Sequence, residues 1–264
     1  MPARRGRGRD VWETAGPVVP SELLARFATA ADAVTDAVAA RTGPARRART
    51  RRPGQYELDV DADAAALAVL REAPVRVVSE ESGRSGPADA PITVVLDPVD
   101  GSTNCSRHIP YWGISLCALD EHGPLCSLVA NLATGERYTA VRDDGAWAGD
   151  ERLQAAATTE LERAVVAVAG LPRPAPWQQY RALGSLALAL CDVAAGRLDG
   201  FVDALADRHA PWDYLGGLLA CREAGALVVD AAGRELVTDD PDARRQVLAG
   251  ATPALLDTLR ARVG

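Results

Sequence analysis

The feature that most constrains this chain is an apolar strand that ends abruptly in two carboxylates. Residues 93–96 form a β-branched, apolar run typical of a buried strand, and Asp97 and Pro98 end it. Asp100 follows shortly after, and the sequence Gly-Ser-Thr-Asn occupies 101–104. Carboxylates at the end of a strand can bind hard cations such as Mg²⁺, and free N–H groups in a glycine-containing turn can bind an anion. This stretch therefore predicts a site for phosphate chemistry.

The basic residues and the net charge exclude several kinds of site and partner. All 29 basic side chains are arginine, so the chain has neither a Schiff-base lysine nor the lysine of a P-loop nucleotide site. The formal net charge of −7 argues against nucleic acid as the main partner. We expect a small phosphorylated metabolite instead.

Cysteine usage and hydropathy indicate the compartment. The five cysteines form no C-x-x-C pair, and most lie among apolar residues, which favours buried, reduced thiols. No stretch approaches about 18 consecutive apolar residues, and no signal peptide is recognisable. We therefore expect a cytoplasmic protein without a membrane partner.

The chain divides into a short terminal segment and two halves. Residues 1–18 are predicted to be flexible, and residues 19–264 to form a single domain. Within it, about 19–155 is predicted to be sheet-rich, largely antiparallel over 92–150, and about 156–264 to alternate strand and helix. Helices are predicted near 20–41, 64–71, 177–195, 212–224 and 252–263. Strands are predicted near 75–78, 93–96, 112–119, 125–130, 135–141, 145–148, 164–169, 200–203, 226–229 and 246–249.

Two charged segments each have two interpretations. Six arginines between residues 41 and 52 indicate either a mobile, solvated loop or a lid over an anionic substrate. The acidic run 57–63 precedes the helix predicted from residue 64. Asp61 or Asp63 either caps that helix or faces a metal site.

Four acidic residues follow predicted strands or begin a predicted helix. Glu80 and the pair Asp97 and Asp100 come at strand ends, and Asp213 starts a helix. Taken alone, Glu80 has the pattern of a surface carboxylate, and Asp213 could either cap its helix or serve a site. Their combination matters more, because the loops at strand ends converge on binding sites in folds of strands and helices.

The motifs that contain these acids resemble the inositol monophosphatase family. They are Ser79-Glu80-Glu81-Ser82, Asp97-Pro98-Val99-Asp100-Gly101-Ser102-Thr103-Asn104, Trp212-Asp213-Tyr214-Leu215-Gly216-Gly217 and Glu223-Ala224-Gly225-Ala226. Members of that family are Mg²⁺-dependent, lithium-sensitive phosphomonoesterases of the wider fructose-bisphosphatase superfamily. Over about residues 20–263, the resemblance implies an α+β fold, a layered αβαβα sandwich, and a homodimer.

The resemblance also implies the roles of individual residues. Two or three Mg²⁺ ions would be held by Glu80, Asp97, the Val99 carbonyl, Asp100 and Asp213. Metal-activated water would attack phosphorus, with the catalytic residues Glu80, Ser102 and Asp63, of which Asp63 would hydrogen-bond the Ser102 hydroxyl. The substrate would be bound by Asp100, Gly101, Ser102, Asp203 and Asp213.

The region that would select the alcohol departs from the family pattern. Asp203 is the nearest match to the glutamate that binds inositol in related enzymes, and a longer loop, 204–211, separates it from Trp212. His209 in that loop either contacts the leaving group or is solvated. Inositol 1-phosphate is the first substrate we expect. The alternatives are histidinol phosphate, fructose 1,6-bisphosphate, 3′-phosphoadenosine 5′-phosphate, or a catalytically silent protein that binds metal or other proteins.

Overall fold

A computed structural model describes residues 19–171 and 175–262 of the chain. The segment 1–18, predicted to be flexible, lies outside these ranges. Within them, none of the helices combines the length and apolarity needed to cross a membrane.

The N-terminal half contains an eight-stranded sheet. Its strands are β1 (Arg76–Ser79), β2 (Gly83–Ser85), β3 (Thr93–Asp100), β4 (Gly113–Asp120), β5 (Gly123–Asn131), β6 (Arg137–Val141), β7 (Gly145–Ala148) and β8 (Glu151–Arg152). They lie in the order β2-β1-β3-β4-β5-β6-β7-β8. Strands β1 and β3 run parallel and the other pairs are antiparallel, which confirms the antiparallel sheet predicted for 92–150.

The C-terminal half contains a five-stranded sheet. Its strands are β9 (Val165–Ala169), β10 (Gln179–Arg181), β11 (Gly200–Asp203), β12 (Leu227–Asp230) and β13 (Val247–Gly250). In the order β10-β9-β11-β13-β12, the first three strands are parallel and the last two pair antiparallel.

The helices cover and separate the two sheets. They are α1 (Pro20–Ala39), α2 (Glu57–Leu70), α3 (Ser102–Ser106), α4 (Leu186–Ala194), α5 (Pro211–Glu223) and α6 (Pro253–Arg260). Helices α1 and α2 share an apolar core with one face of the first sheet, α4 and α5 lie between the sheets, and α6 packs on the outer face of the second. The predicted αβαβα sandwich is confirmed.

Strand β3 shows why the run before Asp97 lacks alternating polar residues. Val94 and Leu96 belong to the core beneath α1 and α2, whereas Val95 belongs to the core around α4 and α5. Successive side chains of a strand point to opposite faces, so a strand covered on both faces loses the usual alternation of polar and apolar residues.

The helix predicted over 177–195 is wrong in its first half. Residues Gln179–Arg181 form strand β10 at the sheet edge, and the helix covers only Leu186–Ala194. Gly184 has φ +87°, a left-handed conformation that a helix cannot continue through. The Ser185 hydroxyl then accepts the N–H of Leu188 and begins α4 as its cap.

The acidic run 57–63 lies inside a helix rather than before one, so that prediction is also wrong. Helix α2 begins at Glu57, and Asp59, in its first turn, accepts the N–H of Tyr56 at 2.8 Å. Asp61 forms an ion pair with Arg41. An acid in the first turn both caps the helix and complements its dipole, which explains the earlier start.

The arginine-rich segment is partly built into the fold. The buried Arg46 guanidinium donates to the carbonyls of Cys105 and Val38 at 2.9 and 3.2 Å, and Arg41 pairs with Glu57 as well as with Asp61. A wholly solvated loop is therefore the wrong interpretation of 41–52. Its action as a lid remains a prediction.

Candidate active site

The end of β3 changes register and turns sharply. Asp97 pairs with Ser115 and Asp100 with Gly113, so β3 carries one residue more than β4 between these positions, which is a bulge. Gly101 follows with φ +91°, and a Cβ there would come within 3.1 Å of the Gly184 carbonyl oxygen. Only glycine suits this turn, which directs the chain into α3.

Three carboxylates from separate elements meet at this turn. One oxygen each from Glu80, Asp97 and Asp213 lies within 4.8 Å of the other two. Glu80 follows β1, whose register beside β3 brings the carboxyl ends of the two parallel strands together. Asp213 comes from the first turn of α5, where it also accepts the N–H of Ala210 at 2.7 Å.

Asp100 adjoins this cluster and is oriented from α4. One of its oxygens accepts both the Ser185 hydroxyl and the Ala187 N–H at 2.7 Å. Burial, and next the charge of Asp213, raise the pKa of Asp100 to about 7. Its two hydrogen bonds fix one oxygen and leave the other for a ligand.

Burial makes this group of acids costly to ionise without a cation. Burial and the Asp213 charge raise the pKa of Glu80 to about 9. Burial and the Glu80 charge raise the pKa of Asp97 well above its ordinary value, and burial also raises that of Asp213. A divalent cation reverses this effect because it favours the ionised form, and an oxygen-only ligand set suits a hard cation. The acidic cluster therefore fits a metal site.

Val99 is buried within the bulge, and its N–H donates to Asp97 at 2.9 Å. That hydrogen bond holds the Asp97 carboxylate in place. Metal binding by the Val99 carbonyl remains a prediction, as does phosphate binding by the N–H groups of Gly101 and Ser102.

The structure does not form the predicted hydrogen bond between Asp63 and Ser102. Asp63 is buried, and its carboxylate accepts the Ser79 hydroxyl at 2.5 Å. Among the hydrogen bonds of the described residues, none joins it to Ser102. The contact with Ser79 joins α2 to the end of β1.

Sequence reasoning missed Asp59, whose environment is more unusual than that of Asp63. It is 3% exposed, burial raises its pKa to about 7, and its second oxygen is buried without a hydrogen-bond partner in the described structure. The neighbouring Tyr56 hydroxyl lies 3.4 Å from that of Thr103, beside Ser102. The one signal in the sequence was the position of Asp59 three residues after a residue that could begin a helix.

A cavity of about 370 Å³ opens beside the carboxylates. Asp100 and Asp213 line it together with Phe201, Arg208 and His209. Asp203 does not line it: the residue is fully buried, and its two oxygens accept the Leu205 N–H at 3.1 Å and bond His209 at 2.7 Å. His209, and not Asp203, stands in the cavity wall, and contact of Asp203 with the substrate remains a prediction.

Comparison with known proteins assigns this arrangement to a family. The sequence pattern of the inositol monophosphatase family matches residues 19–263. The chain belongs to this family. Its members include phosphatases, so the acidic cluster and the cavity beside it occupy a phosphatase fold.

Relatives in this family carry two kinds of name. Nus factor SuhB of Escherichia coli (strain K12) is 30% identical over 207 residues, which cover 70% of this chain and 76% of that protein. The fructose-1,6-bisphosphatase/inositol-1-monophosphatase of Archaeoglobus fulgidus is 36% identical over 180 residues, which cover 66% of this chain and 69% of that protein.

Solved structures of other proteins share the fold. A Pyrococcus horikoshii protein described as similar to inositol-1 monophosphatase superposes with a TM-score of 0.84 at 23% identity, over 93% of this chain and 100% of that one. Extragenic suppressor protein suhB from Bartonella henselae gives 0.78 at 26% identity, over 92% and 98%.

Proposed function

We propose that this protein is a Mg²⁺-dependent phosphomonoesterase that hydrolyses a small phosphorylated alcohol, with inositol 1-phosphate as the first candidate. The observation that carries the proposal is the meeting of Glu80, Asp97 and Asp213 within 4.8 Å, beside a cavity that Asp100 and Asp213 line. Family membership supports the reaction class.

The residues of the site would bind metal, orient water and bind phosphate. Glu80, Asp97, Asp100, Asp213 and the Val99 carbonyl would hold two or three Mg²⁺ ions. When bound, Mg²⁺ supplies Lewis-acid chemistry, neutralising phosphate charge and making water more acidic. The Ser102 hydroxyl and Glu80 would orient the attacking water, and the N–H groups of Gly101 and Ser102 would bind phosphate oxygens as their charge redistributes.

The test combines activity with metal binding. An Asp100→Asn substitution keeps the size of the side chain but removes a metal-binding charge, so kcat for phosphate release should fall at least about 100-fold. Calorimetric titration with Mg²⁺ should show weaker binding to the same variant. The matched control is Asp150→Asn, an exposed acid in the turn before β8, which should change neither quantity. Unchanged turnover in the Asp100→Asn variant would refute the proposed metal site.

The second candidate is a protein that binds partners without catalysis, and the name Nus factor SuhB among its relatives is the observation that favours it. Against it, the residues of the acidic cluster are all present. A wild-type protein that releases phosphate from none of the four candidate esters would favour this candidate over the enzyme.

We also propose that the protein acts in the cytoplasm as a lithium-sensitive homodimer on a metabolite, with neither nucleic acid nor membrane as a partner. Its five cysteines are free and buried, which suits a reducing compartment. Sedimentation velocity tests the dimer, and inhibition by Li⁺ tests the lithium sensitivity.

A further inference from the structure

The loop between β11 and α5 holds His209 in a fixed place. The His209 N–H donates to the Arg245 carbonyl at 3.1 Å, and the Arg245 N–H donates back to the His209 carbonyl at 2.8 Å. This two-bond bridge ties the loop, just before α5, to the residues that lead into β13. The backbone of His209 is therefore anchored.

The imidazole ring is held as firmly as the backbone. Its Nδ1 lies 2.7 Å from an oxygen of Asp203, whose side chain is completely buried. The Phe201 ring packs against it nearly edge-on, with ring centroids 6.2 Å apart. Because Asp203 occupies Nδ1, Nε2 is the ring atom that remains for another partner, and no hydrogen bond within the described residues uses it.

The wall of the cavity at this point carries no free carboxylate. Arg208 lines the cavity beside His209, while the Asp203 carboxylate is committed to His209 and to the Leu205 N–H. The two acids that line the cavity, Asp100 and Asp213, are assigned to the metal site. The alcohol half of a bound ester would therefore meet an imidazole and a guanidinium group.

Building on the proposed phosphatase function, we propose that His209, positioned by Asp203, is the specificity-determining residue of this site. Because Nδ1–H donates to the Asp203 carboxylate, Nε2 of the neutral ring accepts a hydrogen bond from a hydroxyl on the alcohol half of the substrate. The neighbouring Arg208 disfavours alcohols that carry an ammonium group, because two positive charges would meet in the cavity. The site thus selects polyol or sugar phosphates over amino-alcohol phosphates.

Two substitutions test the roles of the two imidazole nitrogens one at a time. In His209→Asn the amide lies near the position of Nδ1, so the variant keeps a partner for Asp203 and loses the contact made by Nε2. In His209→Gln the amide reaches the position of Nε2 and can restore that hydrogen bond. The matched control is His122→Ala, a highly exposed histidine in the turn between β4 and β5.

The experiment measures kcat and KM for four esters: inositol 1-phosphate, fructose 1,6-bisphosphate, histidinol phosphate and phenyl phosphate, which has neither hydroxyl nor charge on its alcohol. In the wild type, histidinol phosphate should have the lowest kcat/KM of the three biological esters. His209→Asn should lower the preference for inositol 1-phosphate over phenyl phosphate about tenfold, mainly through KM, as expected for one lost hydrogen bond. His209→Gln should restore this preference to within about threefold of the wild-type value. Asp203→Asn should lower the preference by an amount between those of the two His209 variants.

The outcomes distinguish this inference from the proposed function. If His209→Asn lowers activity equally on every ester, or if the wild type prefers histidinol phosphate, the inference is refuted and the phosphatase stands. A wild-type protein that releases phosphate from no ester refutes the proposed function and this inference with it. His122→Ala should leave all rates and ratios unchanged.

Discussion

Two acids that lie one turn apart in α2 show how local contacts decide a residue's role. Asp63 accepts the Ser79 hydroxyl, and that contact joins α2 to β1. Asp59 caps the start of the same helix with one oxygen and buries the other without a partner. The contacts of Asp63 are those of a structural residue, whereas Asp59 retains a free buried oxygen near the beginning of α3.

At the scale of the residue, we predict that Asp63→Ala costs stability rather than chemistry. The substitution leaves the buried Ser79 hydroxyl without its acceptor, so the free energy of unfolding should fall by about 1–3 kcal/mol. Urea unfolding measures this change, and kcat should stay within about threefold of the wild type.

A double-mutant cycle with Ser79→Ala serves as the control for that prediction. The losses in free energy of unfolding of the two single variants should add up to more than the loss in the double variant, because both substitutions remove the same hydrogen bond. A fall in kcat of Asp63→Ala without any loss of stability would contradict the structural role and favour the catalytic role that the sequence predicted.

At the scale of the element, the residues of the site lie at the ends of strands and at the starts of helices. Strands β1 and β3 are parallel neighbours, so Glu80 and Asp97 leave the sheet at the same edge. Helix α4 begins at Ser185, whose hydroxyl caps the helix and also donates to Asp100. The start of one helix therefore stabilises the fold and orients a predicted metal ligand.

We predict that Ser185→Ala affects stability and activity together. Loss of the cap should lower the free energy of unfolding by about 1 kcal/mol. Loss of the hydrogen bond to Asp100 should also weaken Mg²⁺ binding and lower kcat/KM about tenfold, as is typical when a group that orients a metal ligand is removed. Thermal unfolding, calorimetry and phosphate release measure the three effects.

The matched control is Thr252→Ala, since Thr252 caps α6 in the same way, with its hydroxyl accepting the Leu255 N–H. It lies on the outer helix layer and contacts no acid of the site. The control should show the loss of stability alone. Equal effects on Mg²⁺ binding in both variants would show that the cap, and not the bond to Asp100, is responsible.

At the scale of the molecule, the fold brings several carboxyl groups together in a buried site. The acids come from the edge of the first sheet and from α5, which lies between the two sheets. Folding raises the pKa of Glu80 from 4.5 to about 9 and that of Asp100 from 3.8 to about 7. The folded state therefore binds protons more tightly than the unfolded chain.

This charge predicts how stability depends on pH when metal is removed. A carboxyl group with a raised folded-state pKa contributes stability fully below its unfolded pKa and loses it as the pH rises towards the folded value. For Glu80 and Asp100 that window extends from about pH 4 to about pH 9. Chelator-treated protein should therefore melt at least about 5 °C lower at about pH 8.5 than at about pH 5.5.

Added Mg²⁺ should remove most of that difference, because a bound cation favours the ionised carboxylates. In the Glu80→Gln variant the chelated protein should lose part of its pH dependence, since one of the titrating groups is gone. Identical melting profiles with and without Mg²⁺ across this pH range would contradict a metal site at the acidic cluster.

Local patterns in the sequence were enough to predict much of this protein. The apolar run before Asp97 marked β3, because a strand covered on both faces needs apolar residues throughout. The spacing of acids and glycine after it indicated Asp97 and Asp100, the ends of predicted elements marked Glu80 and Asp213, and the family resemblance added the metal-binding role of all four. That the chain forms one domain from 19 to 264 remains a prediction, together with the division into halves.

Only the tertiary structure decided what each polar side chain contacts. Whether Asp63 meets Ser79 or Ser102 depends on how α2 packs against the end of β1. Whether Asp203 faces the substrate depends on a loop that brings His209 onto its carboxylate. Helix periodicity and apolar runs are encoded locally, but contacts between residues distant in sequence depend on how the layers pack, and those contacts make the site.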